Sequence, residues 1–103
     1  MKPMRPQQTF DSKKIAAFCL RNKVSSFSIF GSYSTGKSRP GSDVDILISF
    51  KPDACPTLAD LAGMREELES LFGKSVDLVE EEAIRNPYRR ASILKDKKIL
   101  YAT

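Results

Sequence analysis

The 103-residue sequence contains no histidine, no tryptophan and only two cysteines. The missing histidine excludes Ser-His-Asp and Cys-His nucleophile pairs. It also excludes every zinc or haem site that needs an imidazole ligand. Any catalysis must therefore run on carboxylates, hydroxyls, amines or metals held by oxygen, and carboxylate-bound Mg²⁺ heads that group. Cys19 and Cys55 stand far apart with no CxxC spacing. A chain this short that relied on disulfides would carry more of them, so both read as reduced thiols. Long apolar stretches are missing too. The longest uncharged apolar run, residues 15–20, is far too short to cross a bilayer. Lys2 and Arg5 are not followed by the apolar stretch of a signal peptide. The expectation is a cytoplasmic protein with no membrane contact.

What remains is a charge pattern and a set of short elements. The length fits one small domain, and a hydrophobic fraction of 41% suits a packed core. Residues 1–42 carry a net charge of +7, residues 43–82 of −8 and residues 83–103 of +5. Such a basic–acidic–basic order can bring cations and carboxylates to one site, or serve only as solvated faces. Without an aromatic–arginine module, direct nucleic-acid binding is not expected.

Residues 1–10, with two prolines in a polar stretch, read as a flexible tail, and residues 11–103 as a single domain. Asp11 or Ser12 caps a first helix whose Ile15, Phe18 and Cys19 form an apolar stripe, and the helix fades at Asn22. Residues 27–30 form a short β-prone run that ends at Gly31. Residues 44–50 alternate clearly, with Val44, Ile46, Ile48 and Phe50 on one face and Asp45, Leu47 and Ser49 on the other. Thr57 and Asp60 have capping-box spacing, and Gly73 closes the helix that follows. Residues 75–79 read as a third strand, residues 80–84 as a single helical turn broken at Pro87, residues 88–95 as a helix and residues 98–101 as a final strand. The fold class is α/β (α+β), a small mixed sheet flanked by helices on one face. The first two strands pair antiparallel, and a helical crossover leads to the third.

The candidate chemistry lies on the polar phase of these strands. Asp43 and Asp45 are two residues apart, so their side chains share a face with Cα atoms roughly 7 Å apart. Asp77 sits among Val76, Leu78 and Val79, where a carboxylate is costly unless paired or metal-bound. Three carboxylates on adjacent strands are what a two-Mg²⁺ phosphoryl-transfer site requires. Gly31 and Ser32, directly after the first strand, offer close backbone approach, a hydroxyl and amide donors to a phosphate. Lys37 and Arg39 lie in the same loop and can meet phosphate charge. Each feature alone also has a plain reading: an exposed polar strand face, a turn, an edge residue. It is their meeting in one cleft that points to catalysis. The acidic triplet 80–82 reads as a solvated helix start.

Gly31-Ser32, ten residues, then Asp43-Val44-Asp45 resembles the GS-x10-DxD signature of the polymerase-β-like nucleotidyltransferase superfamily. The surrounding text, GSYSTGKSRPGSDVDILISF, is especially similar to the minimal nucleotidyltransferase (MNT) group. The likeness extends through the SVDLV strand and the stretch from Asn86-Pro87-Tyr88-Arg89-Arg90 to Ile99-Leu100-Tyr101, covering about residues 11–102. It implies the nucleotidyltransferase core fold, with Asp43, Asp45 and Asp77 as catalytic and metal-binding residues for two Mg²⁺ ions. Asp77 would also act as, or orient, the general base. Gly31 and Ser32 would hold the triphosphate, with Arg39 as a further nucleotide contact. Thr35 stands where many members of the group carry arginine, which removes one phosphate cation.

The implied reaction moves AMP from ATP to an acceptor hydroxyl with release of pyrophosphate. Larger members of the superfamily add an acceptor-binding domain, so a chain of this size needs a partner to supply the acceptor. In the MNT group the implied partner is a HEPN-domain ribonuclease toxin modified on tyrosine, with the MNT protein as its antitoxin. Two alternatives stand beside this: transfer to a small molecule or nucleic acid with another partner, and a non-catalytic module that binds a toxin. The basic stretch of residues 85–98 is one candidate partner face.

Overall fold

A computed structural model describes residues 11–31 and 43–103. The expected tail of residues 1–10, together with Ser32, Thr35, Lys37 and Arg39, lies outside the described residues. Helix α1, Ser12–Arg21, starts at Asp11, whose carboxylate accepts from the Lys13 and Lys14 amides at 3.1 and 3.2 Å. Strand β1, Val24–Phe30, then runs antiparallel to β2, Val44–Phe50. Helix α2, Leu58–Phe72, has the full Thr57/Asp60 capping box and ends at Gly73 in the left-handed conformation, φ 69°. It carries the chain back so that β3, Val76–Glu80, joins β2 in parallel, as a crossover connection requires.

A 3₁₀ turn, Glu81–Ala83, leads to α3, Pro87–Asp96, and β4, Lys98–Ala102, closes antiparallel on β1. The sheet order is β3-β2-β1-β4. Pro87 opens α3 rather than breaking the chain before it. The Asn86 side chain caps the Tyr88 and Arg89 amides, and proline loses nothing at a first helical position that has no hydrogen-bond partner to satisfy. Strand β1 begins three residues earlier than the apolar run indicated. Pairing with β2 and β4 recruits the polar stretch of Ser25 and Ser26: the Ser25 carbonyl accepts from Thr103, and its hydroxyl donates to the Ser49 carbonyl.

Most of the core lies on one face of the sheet. Ile15 and Phe18 of α1 and Met64 and Leu68 of α2 pack on Phe27, Ile29, Val44, Ile46 and Ile48. Phe18 and Phe27 meet edge to face, centroids 6.0 Å apart. The sequence placed helices on one face; α3 adds cover on the other. There Phe30 and Leu47 pack with Ile84 and Ile93 in a second, smaller cluster. The reason is local: Leu47 follows Asp45 on the polar phase of β2, and an apolar side chain there needs its own shelter from water. Among the described residues no helix is long and apolar enough to cross a membrane.

Candidate active site

The two halves of the acidic set are brought together by strand pairing. In the parallel β2–β3 ladder, Asp45 is the register partner of Asp77, and Val44 is that of Val76. Neighbouring strands lie about 4.8 Å apart, and direct partners in a ladder share a face. Asp45 and Asp77 therefore stand side by side, and Asp43, two residues before Asp45, lies on the same side at the entry to β2. Asp43 and Asp77 are exposed, and Asp45 is partly buried between them.

Gly31 completes this corner. Its predecessor Phe30 is the antiparallel register partner of Asp45, so the β1 terminus arrives beside that carboxylate. Gly31 has φ 72°, and a Cβ built on it would collide with Asp45 Oδ2 and lie 3.3 Å from its Cγ. Both facts demand glycine: the backbone is left-handed, and the Asp45 carboxylate occupies the space a side chain would take.

The electrostatics show how crowded the corner is. Asp45 holds its proton above the ordinary 3.8, first because burial disfavours the charged form, then because Asp77 and Asp43 repel it. Arg89 opposes the shift. Arg89 sits in the first turn of α3, the turn capped by Asn86. Its neighbour Arg90 anchors that helix by donating to the Glu81 carbonyl at 3.0 Å and pairing with the Glu81 carboxylate at 3.4 Å. Lys97 reaches the same carboxylate at 4.0 Å, and the Ser49 hydroxyl of β2 donates to Glu82. The acidic triplet is thus not simply solvated: Glu81 and Glu82 hold α3 and the 3₁₀ turn against the sheet. Arg89 and Glu81 were not singled out from the sequence as site or anchor residues. The Asn-Pro cap fixes the start of α3, yet only the packing decides which side of the helix meets Asp45.

Among the described residues no three acidic, histidine or cysteine side chains close around one point as a self-sufficient metal cage. That is compatible with Mg²⁺, which binds through one or two carboxylates plus waters and substrate phosphates. The fit rests on the donor set: hard carboxylate oxygens on one face, with the proton affinity of Asp45 raised first by burial and then by repulsion from Asp77 and Asp43. A divalent cation relieves that repulsion. Of the residues expected to bind phosphate, Gly31 is seen at this corner, while Ser32 and Arg39 lie outside the described residues.

Comparison with known proteins gives a consistent result. The family model described as a nucleotidyltransferase domain matches residues 12–100. A protein of Methanocaldococcus jannaschii named as a protein adenylyltransferase is 38% identical over 74 residues, 72% of this chain and 74% of that one. A crystal structure of a toxin–antitoxin with AMP-PNP superposes with a TM-score of 0.74 at 24% identity, covering 91% of this chain and 75% of that one, a likeness of fold. A mutant of the MntA-HpeT toxin–antitoxin complex has a TM-score of 0.68 at 27% identity, covering 92% of this chain and 75% of the other.

Proposed function

The chain belongs to the nucleotidyltransferase-domain family, and from that premise we propose that it transfers AMP from ATP to a hydroxyl, a tyrosine in particular, of a HEPN-domain ribonuclease toxin, as that toxin's antitoxin. The observation that carries the reading is the side-by-side register of Asp45 and Asp77, with Asp43 on the same face and the Gly31 backbone against Asp45. The 38% identity to a protein adenylyltransferase supports AMP as the transferred group. The likeness to the antitoxin-containing MntA-HpeT complex supports a toxin as the acceptor.

In this reading Asp43, Asp45 and Asp77 hold two Mg²⁺ ions. When bound, these supply charge neutralisation for the triphosphate and for the leaving pyrophosphate. The chain's own groups do the rest. Gly31 leaves room for the β- and γ-phosphates beside Asp45, Ser32 donates its hydroxyl to them, and Arg39 offers a guanidinium. Asp77, the exposed carboxylate of the pair, takes the proton of the acceptor hydroxyl. The acceptor oxygen then bonds to the α-phosphorus, the bond from that phosphorus to the β-bridging oxygen breaks, and pyrophosphate carries the electron pair away.

The test is a mass measurement. The protein is incubated with ATP, Mg²⁺ and a candidate HEPN-domain toxin, and the toxin is weighed. The expected result is a gain of one or more AMP groups that disappears with Asp43→Ala or Asp45→Ala. An unmodified toxin that both variants still neutralise overturns catalysis in favour of a binding module. Transfer to a nucleotide or small molecule in place of the toxin overturns the acceptor.

A further inference from the structure

Strand β3 is an edge of the sheet, and among the described residues no strand lies beyond it. The Val44 amide donates to the Ser75 carbonyl at 2.9 Å, which fixes the phase of the parallel ladder. The backbone groups of Asp77 and Val79 then face β2, and those of Val76, Leu78 and Glu80 face outward. The Val76 amide is occupied, donating to the Glu69 carboxylate at 3.1 Å. Further along, the edge opens into a groove of about 420 Å³ between α2 and the 3₁₀ turn. Leu61, Leu78 and Ile84 give it apolar walls, and Arg65 and Arg89 bring two guanidinium groups against the single carboxylate of Glu80. Arg65 pairs with Glu69 at 3.4 Å, an exposed pair of the kind worth little in water.

Two further facts give the groove a direction. Arg89 lines it and also acts on Asp45, so the groove adjoins the carboxylate corner. Leu58 lies on the helical stripe of Leu61, Ala62 and Arg65 and is 86% exposed, an apolar residue left uncovered in line with the groove.

We propose that this groove docks the acceptor protein: an extended acceptor segment adds as a strand to the edge of β3, its side chains alternating between the α2 side, at Leu61 and Arg65, and the α3 side, at Ile84 and Arg89, apolar ones against the aliphatic residues and acidic ones at the guanidinium groups. The inference rests on the AMP-transfer reading above and names how its acceptor is held. Outward amides and carbonyls at strand spacing match a peptide backbone, and strand addition is an established way to bind an extended segment. The excess of guanidinium over carboxylate selects an acidic residue. A hydroxyl further along the same segment is then carried toward Asp77.

The experiment uses the full chain with the HEPN-domain toxin as acceptor at saturating ATP and Mg²⁺. Variants Arg65→Glu and Ala62→Arg reverse the charge and fill the groove, and Lys13→Glu on α1 is the charge-change control. The expected result is a rise of about tenfold or more in the KM for toxin with both groove variants. The KM for ATP stays within twofold, and the control behaves as wild type. Hydrogen exchange is followed in parallel on the inactive Asp43→Ala protein, where toxin binding should slow the Leu78 and Glu80 amides without any transfer. An unchanged toxin KM with no slowing at these amides overturns the docking site. A raised KM for ATP alone also overturns it, and assigns the groove to the nucleotide. Absence of AMP transfer by wild type, with the two amides still slowed, overturns the AMP-transfer reading and leaves the docking surface standing.

Discussion

Asp45 and Asp77 are direct register partners on the parallel strands β2 and β3, and Asp77 is the first of two like charges that raise the proton affinity of Asp45. Two carboxylates held side by side, with Arg89 offsetting only part of their repulsion, are unfavourable for the fold. In the proposed reading the arrangement serves the bound nucleotide and its cations rather than the chain's own stability.

A pH dependence follows from that relationship. The Asp45 proton is bound more tightly in the folded state than its ordinary 3.8, chiefly through burial. Between 3.8 and the raised value the native protein holds more protons than the unfolded chain, so this group's contribution to stability is lost as pH rises through that window. Asp45→Asn removes the effect. In urea titrations without metal, the variant should gain stability relative to wild type as pH moves from 4 to 7. A difference that stays flat with pH would contradict the assigned crowding.

Metal removal should separate binding from folding. Mg²⁺ with a non-hydrolysable ATP analogue should raise the thermal midpoint of wild type, and EDTA should abolish the gain, because a ligand bound only to the native state stabilises it. Asp45→Asn should show little or no gain, and AMP transfer by this variant should fall by more than about a hundredfold, beyond the loss usual for an outer-shell partner of a metal. Calorimetric scans and a transfer assay read the two effects.

Gly31→Ala tests the close approach. Alanine at φ 72° costs about 1–2 kcal/mol from backbone strain alone. The added Cβ also displaces the Asp45 carboxylate, so transfer should fall by more than the stability loss explains. Unfolding at several urea concentrations and rates measured well below the midpoint distinguish the two.

Ile93→Ala tests the second apolar cluster. Ile93 is 6% exposed, with Phe30, Leu47 and Ile84 around it. Truncation should cost about 2–5 kcal/mol. Because Ile93 seats the helix that carries Arg89, transfer should weaken while the variant is still folded.

The thiols should differ sharply. Burial pushes the Cys19 thiol up to about 12, whereas Cys55 is exposed. A thiol reagent at pH 8 should modify one cysteine in the native protein and two in denaturant, and Cys55→Ser should leave none reactive in the native state.

The sequence carried the local part of this protein. The capping box at Thr57 and Asp60, the αL glycine at residue 73 and the alternation of β2 all appear where spacing placed them, because each depends on neighbours within a few residues. The same alternation was enough to put Asp43 and Asp45 on one face. Their likeness to a nucleotidyltransferase signature was legible in the Gly31-to-Asp45 spacing. The absence of histidine had already narrowed the chemistry to oxygen ligands.

Tertiary structure decided what lies beside what. That Asp77 falls opposite Asp45, and not one residue away on the far face, is a register set by α2 carrying the chain back along β2, and local periodicity does not encode it. The seat of Arg89 near Asp45 follows from the packing of Ile93 on Leu47 and the hold of Arg90 on Glu81, contacts between segments far apart in sequence or on different elements. Among the described residues the sheet ends at β3, and that edge is a product of the strand order, not of any local pattern. Residue pattern fixes which face a side chain takes, and long-range pairing fixes its neighbours, which is why a shared carboxylate cleft could be expected from the chain while the exact register of Asp77 on Asp45 and the seat of Arg89 could not.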